Sequence, residues 1–206
     1  MKRSFDLSGI PADWGYSLLT ATVVPRAIAW VSSLSAAGVP NLAPHSFFTV
    51  ASSDPAIVQF TSVTEKDSLR NIRETGEFVI ALVTEDLAAA ANVTATNFPP
   101  EFNEFEEARL TPEPAEFVRP ARVAESPVAL ECRLERIVEI GNSFLVLGRV
   151  LCVAIAEDVL DPEPRMGKPH PRYELLRPVS RLGRIQWGLP GAAFDLVRPR
   201  FEEESR

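Results

Sequence analysis

The fold is decided by the stretch PRAIAWVSSLSAAGVPNLAPHSFFTVASSDPAIVQFTS, which occupies residues 25–62. Between its strand-like runs, Ala37 and Gly38 have turn chemistry, because glycine adopts backbone conformations that other residues avoid. The apolar and β-branched character of three runs predicts strands, at residues 27–35, 47–51 and 56–61. The chain therefore begins as a β-rich fold with short connections.

A helix start rich in polar groups follows these strands. The run KDSLRNIRETGEF begins at Lys66. Ser62 precedes the run and Ser68 lies within it, and both residues carry hydroxyls. Phosphates in proteins are held by main-chain N–H groups at a helix N-terminus, by hydroxyls and by cations. These three residues are therefore candidates for a phosphate site. The alternative is an ordinary helix, with Asp67 as its N-cap and Gly76 as its C-terminal stop.

These runs together resemble the flavin reductase-like family, whose members bind FMN in a split β-barrel and usually work as homodimers. The resemblance rests on PRAIAWVSSLSAAGVPNLAPHSFF, SSDPAIVQF, KDSLRNIRETGEFVIALV and ESPVALECRLERIVEIG, which cover most of residues 19–155 in the family's order. It implies a mainly β fold with accessory helices (α+β), namely a split β-barrel of the FMN-binding flavin reductase type. We expect one domain over residues 1–206, with its core at about 19–156 and a C-terminal excursion and tail at 157–206.

The resemblance also implies a cofactor site. The flavin ring would lie against the strand that carries His45, and the phosphate would lie near Lys66. Arg26 matches the family's P-R-x-I-A-W run, although a solvated arginine at a strand end is equally ordinary. The residues implied as cofactor contacts are Arg26, Pro44, His45, Ser46, Phe47, Phe48, Thr61, Ser62, Lys66, Asp67 and Ser68. No residue is assigned a catalytic role, because a bound flavin carries the chemistry itself.

Composition narrows the classes of function. With 206 residues, of which 46% are hydrophobic, the chain can bury one sizeable core. A net charge of −7 without a basic run argues against a nucleic-acid surface. No apolar run approaches the roughly 20 residues that span a bilayer, and the first residues lack a secretory hydrophobic region, so we expect a cytoplasmic protein without membrane contact. The two histidines and two cysteines lack metal-ligand spacing, which predicts no metal site.

The rest of the chain yields more local predictions. Trp14 and Tyr16 are expected to anchor a lead-in segment by packing. In the predicted strand 128–140, Glu131 alternates with apolar residues and is expected on the solvent face. Further strands are predicted at 77–84 and 143–156, helical segments at 85–96 and 97–109, and an irregular proline-rich excursion at 158–177.

Three aromatic residues and the later PVSRLG run are further candidates for the walls of the flavin cleft that the resemblance implies. Phe98, Phe102 and Phe105 have the spacing of core or lid residues, and in the family this region borders the flavin. Arg181 and Trp187 either close the cleft or are an ordinary surface arginine and a packed tryptophan. The chain continues RIQW where the family commonly has a second glycine and a tyrosine. This difference weakens the case that Trp187 closes the cleft.

The leading functional hypothesis is an oxidoreductase. NADH or NADPH would deliver hydride to FMN, which would pass electrons to free flavin, a partner monooxygenase or another small-molecule acceptor. The alternatives are an FMN-binding electron carrier or ligand-binding protein without NAD(P)H activity, and an all-β module without cofactor. A Ser-His hydrolase is disfavoured, because His45 and Ser46 are adjacent on a strand and point to opposite faces.

Overall fold

The computed structural model describes residues 1–199, apart from the side chain of Arg165. The strands are β1 (Ala29–Leu34), β2 (Pro40–His45), β3 (Phe48–Ser53), β4 (Ala56–Val63), β5 (Glu77–Ala81), β6 (Pro112–Glu113), β7 (Arg122–Val123), β8 (Val128–Ile140), β9 (Ser143–Ile155), β10 (Ser180–Arg181) and β11 (Trp187–Gly188). The helices are α1 (Ala12–Thr22), α2 (Asp67–Thr75), α3 (Ala88–Val93), α4 (Glu104–Glu107) and α5 (Tyr173–Leu176). The prediction of a mainly β fold with accessory helices is confirmed.

Seven strands form one antiparallel sheet in the order β2-β1-β5-β8-β9-β4-β3. Its two edge strands, β2 and β3, are separated in the chain by only Ser46 and Phe47. Because two residues cannot span a flat sheet of seven strands, the sheet must curl until its edges meet. The two edges approach each other where β2 meets β4, the strand next to the edge strand β3, and the His45 ring on β2 lies 4.7 Å from the Phe60 ring on β4, measured between centroids. The barrel is therefore closed by side chains along this seam, and its two edge strands do not pair with each other.

The barrel interior is filled by large apolar side chains. Phe60 and Phe78 meet edge to face with their centroids 5.7 Å apart. Gly148 on β9 makes room for this pair, since a Cβ atom there would lie 2.2 Å from Cζ of Phe78. The helix α2 closes one end of the barrel with Leu69 and Ile72, both fully buried. The apolar side chains that alternate along the strands therefore form the core inside the barrel.

A second core lies between the outer face of the sheet and the short helices. Trp30 is fully buried here, and its indole N–H donates to Oγ1 of Thr94 at 2.9 Å. Phe105 and Leu42 pack in the same cluster. Trp30 is therefore a core residue. Its hydrogen bond also fixes the start of the segment that follows α3.

The prediction that Trp14 anchors the N-terminal segment is wrong. Residues 12–22 form the helix α1, in which Thr20 is the one buried residue, and the Trp14 side chain is 59% exposed. Tyr16 is also exposed, although its ring lies 6.3 Å from that of Phe47. The helix is held at its C-terminal end, where the Arg26 guanidinium donates to main-chain carbonyls.

The prediction that Glu131 faces solvent is also wrong. The register of β8 shifts between Glu131 and Cys132, which interrupts the simple alternation. Glu131 is fully buried, with the Arg122 guanidinium as its ion-pair partner. It also accepts hydrogen bonds from the main-chain N–H groups of Glu116 and Phe117. Burial alone raises the pKa of Glu131, but these hydrogen bonds and the charge of Arg122 outweigh burial and hold that pKa below its usual value.

Other boundaries differ by a few residues from those predicted, and β2 (Pro40–His45) was not predicted as a separate strand. Lys66, and not Asp67, is the N-cap of α2, and it makes no side-chain capping bond. Gly76 ends that helix in the left-handed conformation, as predicted. The two helical segments shrink to α3 and α4, and the excursion after β9 contains the short helix α5. The end of the predicted C-terminal tail, from position 200 onward, lies outside the described residues.

Candidate functional site

A cleft of about 500 Å³ opens at the seam of the barrel. One wall is the end of β2 and the turn into β3, from Pro44 to Phe47. The opposite wall is the end of β4 and the start of α2, from Thr61 to Ser68. The segment 94–98 borders the cleft beyond them. The volume falls within the range of small-molecule sites in proteins.

His45 lies at the floor of this cleft and is almost fully buried. Burial lowers its pKa from 6.5 to about 4, a main-chain hydrogen bond involving Thr61 opposes that shift, and the nearby charge of Lys66 adds to it. The imidazole is therefore neutral at physiological pH. Its Nε2 atom is buried and has no hydrogen-bond partner among the described residues. A neutral imidazole packed in the barrel wall agrees with this environment.

The start of α2 gives the other wall its donors. The first main-chain N–H groups of any helix lack partners within the helix, and here they lie beside the cleft. The first helical hydrogen bond runs from Arg70 N to Lys66 O at 3.0 Å. The Lys66 ammonium reaches across the cleft and donates to Oδ1 of Asn97 at 3.3 Å. A helix N-terminus and a cation thus face the same space, an arrangement that favours anions.

The acidic side chains at this wall are neutralised by arginines. Asp67 pairs with Arg70, and Glu65 pairs with Arg73 at 2.5 Å. No carboxylate lies within 4.0 Å of the Lys66 ammonium in residues 1–199. Since the two carboxylates are compensated, Lys66 gives this wall its uncompensated positive charge.

The structure brings most of the predicted cofactor residues together at the cleft. Those that line it are Pro44, His45, Ser46, Phe47, Thr61, Lys66, Asp67 and Ser68. Phe48 instead packs against the barrel core, and the buried Ser62 hydroxyl donates to the Thr64 carbonyl at 3.0 Å. Both of these residues lie outside the lining.

Arg26 also lies outside the cleft lining. Its guanidinium donates to the carbonyls of Thr20 and Val23 near the end of α1, and to that of Leu182 at 2.8 Å. It lies 5.9 Å from the Phe47 ring, which does line the cleft. The position of Arg26 is that of a structural tie between α1, the C-terminal segment and the cleft wall.

The remaining aromatic candidates divide between the cleft and other places. Phe98 lines the cleft, whereas Phe105 belongs to the outer core. Arg181 and Trp187 do not line it. They pair across β10 and β11, with the guanidinium 5.0 Å from the indole centroid.

Sequence reasoning missed a buried polar group beneath the cleft. Asn41 and Glu104 both line the cleft, and Asn41 Nδ2 donates to Glu104 Oε1 at 2.8 Å. Burial raises the pKa of Glu104, opposed by hydrogen bonds that include those from Leu42 N and Asn41. Glu104 belongs to the acidic helix turn EFEE, and the apolar spacing of Phe98, Phe102 and Phe105 around it does not mark a carboxylate as a site residue. The one local signal was Asn41, which with His45 is one of two polar residues in the strand PNLAPH.

The comparisons with known proteins agree with this geometry. The model of the flavin reductase like domain family matches residues 21–170. A protein of Deinococcus radiodurans, itself described as uncharacterized, is 41% identical over 189 residues, which are 87% of this chain and 82% of that protein. The chain belongs to the flavin reductase-like family. Its barrel is the split β-barrel that the sequence predicted.

Two solved structures resemble this flavin reductase-like protein over nearly its whole length. Nitrilotriacetate monooxygenase component B from Bacillus cereus is 33% identical with a TM-score of 0.88, and the match covers 95% of this chain and 99% of that one. The 2-nitrobenzoate 2-nitroreductase NbaA of Pseudomonas fluorescens is 28% identical, also with a TM-score of 0.88, over 98% of this chain and 99% of that one. Both relatives carry redox functions in their names.

Metal-binding clusters and membrane-spanning helices are both absent from residues 1–199. Among residues 1–199, no group of three or more His, Cys, Asp or Glu side chains has an arrangement that would hold a metal ion. In the same part of the chain, no helix is long and apolar enough to cross a bilayer. The thiols of Cys132 and Cys152 are both free.

The burial of His45 predicts a pH dependence of stability. Below pH 6.5 the unfolded chain protonates this histidine, whereas the folded protein does not until about pH 4, so stability falls as the pH is lowered through this window. Between pH 7 and pH 5 the loss in the free energy of unfolding due to His45 is expected to be about 2 kcal/mol. Urea titrations of the wild type and His45→Gln at both pH values measure it. Equal losses in the two proteins would show that His45 titrates normally in the fold.

Proposed function

We propose that this protein is an FMN-dependent oxidoreductase that takes hydride from NADH or NADPH and passes the electrons to an acceptor. The observation that carries the proposal is the cleft at the barrel seam, where a helix N-terminus and Lys66 face a space of small-molecule size. Membership in the flavin reductase-like family supports flavin as the occupant.

The residues of the cleft fit a flavin nucleotide. The main-chain N–H groups at the start of α2 and the Lys66 ammonium would hold the phosphate. The wall from Pro44 to Phe47 offers main-chain N–H and C=O groups and the Phe47 ring to the flavin ring system. Tyr16 and Phe98 reach the cleft from α1 and from the segment after α3, and both would exclude water from a bound ring. When bound, FMN supplies hydride acceptance and onward electron transfer.

The protein's own residues bind and orient rather than donate protons. His45 is buried and neutral, and the three acidic residues that line the cleft are each paired or hydrogen-bonded. We therefore propose no general acid or base from this chain. Catalysis would rest on holding the donor and the acceptor group in contact and on excluding water.

The names of two relatives suggest the kind of molecule that accepts the electrons. Component B of nitrilotriacetate monooxygenase suggests a partner monooxygenase supplied with reduced flavin, and the 2-nitrobenzoate nitroreductase suggests a small organic acceptor. We further propose a homodimer. Its support is the exposure of large apolar side chains on α1, namely Trp14, Tyr16 and Leu19, because an 11-residue helix is rarely stable without packing partners.

Steady-state oxidation of NADH and NADPH, with FMN present, distinguishes the proposed enzyme from a carrier. The oxidoreductase should show saturable donor oxidation, and a carrier should bind FMN without it. A module without cofactor should show no rise in melting temperature when FMN is added. Stabilisation by FMN without donor oxidation would refute the oxidoreductase and favour the carrier.

A further inference from the structure

A directed chain of hydrogen bonds lies beneath the cleft. Ser68 Oγ donates to Asn41 Oδ1 at 2.9 Å, and Asn41 Nδ2 donates to Glu104 Oε1 at 2.8 Å. The other carboxylate oxygen, Oε2, accepts from Leu42 N at 3.1 Å. The side chains of Ser68, Asn41 and Glu104 belong to residues that are 1%, 7% and 6% exposed, and all three line the cleft.

The carboxylate of Glu104 sets the direction of this chain. An ionised carboxylate only accepts hydrogen bonds, so Asn41 must turn its NH₂ group toward Glu104 and its carbonyl oxygen toward Ser68. The opposite orientation of the amide would place two acceptor oxygens 2.8 Å apart. The single hydroxyl hydrogen of Ser68 is then committed to Asn41. What remains on Ser68 Oγ is its capacity to accept.

A hydrogen-bond acceptor at Ser68 Oγ suits a hydroxyl group of a ligand and does not suit a phosphate. Phosphate oxygens are acceptors and need donors around them. A sugar-alcohol hydroxyl can donate to Ser68 Oγ or to the unused lone pairs of Glu104. Ser68 can still offer its main-chain N–H to a phosphate, because it lies in the first turn of α2.

We propose that Ser68, Asn41 and Glu104 form a polyol subsite that accepts hydrogen bonds from the hydroxyl groups of the flavin side chain. In this subsite Glu104 is a positioning residue, because it orients Asn41 and through it Ser68. The inference rests on the proposed function, since it takes a flavin as the occupant of the cleft. It divides the cleft into a phosphate end at Lys66 and a hydroxyl end at Ser68.

Three ligands test the division in the full-length protein. FMN has both phosphate and hydroxyls, riboflavin has hydroxyls alone, and lumiflavin has neither. Glu104→Gln places an amide donor beside Asn41, which favours reversal of the Asn41 amide and releases the Ser68 hydrogen. We expect this variant to bind FMN and riboflavin about tenfold more weakly and lumiflavin within about twofold of the wild type. Ser68→Ala removes the acceptor itself and should weaken FMN and riboflavin by about fivefold.

Lys66→Ala is the matched control, because it should weaken FMN alone and leave riboflavin and lumiflavin within about twofold. Quenching of flavin fluorescence measures all the affinities, and unchanged melting temperatures of the unliganded variants verify folding. The subsite is overturned if Glu104→Gln and Ser68→Ala weaken FMN but not riboflavin, or weaken lumiflavin as much as riboflavin, or have no effect. Failure of the wild type to bind any of the three flavins overturns the proposed function and the subsite together.

Discussion

Glu131→Ala is expected to lower the free energy of unfolding by about 3–5 kcal/mol. The Glu131 carboxylate is fully buried in β8, and the variant would leave the buried Arg122 guanidinium with only the exposed Glu116 carboxylate, at 3.2 Å, as an ion-pair partner. It would also remove the acceptor for the main-chain N–H groups of Glu116 and Phe117, which tie the segment before β7 to the sheet. Unpaired buried charges and donors are among the costliest defects in a folded protein.

Glu135→Ala is the matched control for this prediction. Glu135 lies four residues along the same strand and pairs with Arg149 at 3.0 Å, but the two side chains are 37% and 50% exposed. An exposed pair of this kind contributes about 0.5 kcal/mol. Chemical denaturation of both variants and the wild type gives the comparison. Similar losses in the two variants would refute a structural role for the buried pair.

Lys66→Ala is expected to weaken FMN binding by about 10- to 100-fold, the range for loss of one charge-assisted hydrogen bond to a phosphate. The ammonium faces the cleft, and its partner in the unliganded protein is the amide oxygen of Asn97, an uncharged group. A phosphate would therefore compete with a weak interaction and not with an ion pair. Fluorescence titration with FMN measures the change.

Arg136→Ala is the control for net charge. Arg136 is exposed on β8, belongs to no ion pair among residues 1–199 and does not line the cleft. Its removal changes the net charge by the same amount as Lys66→Ala, so it should alter FMN affinity by less than about threefold if the effect is local. Equal weakening by both variants would mean that general electrostatic attraction, and not a contact at Lys66, governs binding.

Much of the barrel could be predicted from the sequence because strand periodicity is a local property. The bounds of β8 were predicted to the residue, and β9 to within one residue at its end. The prediction for Glu131 was wrong, because one register shift in β8 places in the interior a side chain that simple alternation assigns to the solvent face. The prediction for Trp14 was wrong for a different reason, since a large apolar side chain can remain exposed in a folded chain, and among residues 1–199 Trp14 is 59% exposed.

The candidate site was predictable only in part. The two runs around His45 and Lys66 gave eight of the residues that line the cleft, because the resemblance to the family covers both. The partnership of Asn41 with Glu104 joins positions 63 residues apart and depends on where α4 packs against β2. No local pattern encodes such a contact. The segment 94–98 has no regular structure, so its place at the cleft also required the fold.

The reaction proposed for this flavin reductase-like protein is transfer of hydride from a nicotinamide to FMN. The most direct measurement is anaerobic mixing of the FMN-supplemented protein with NADH and, separately, with NADPH, while the blue absorbance of the flavin is followed. We predict rapid bleaching with at least one donor, and little bleaching by the same donor in a mixture without protein. Protein-bound flavin that keeps its colour with both donors would contradict the account.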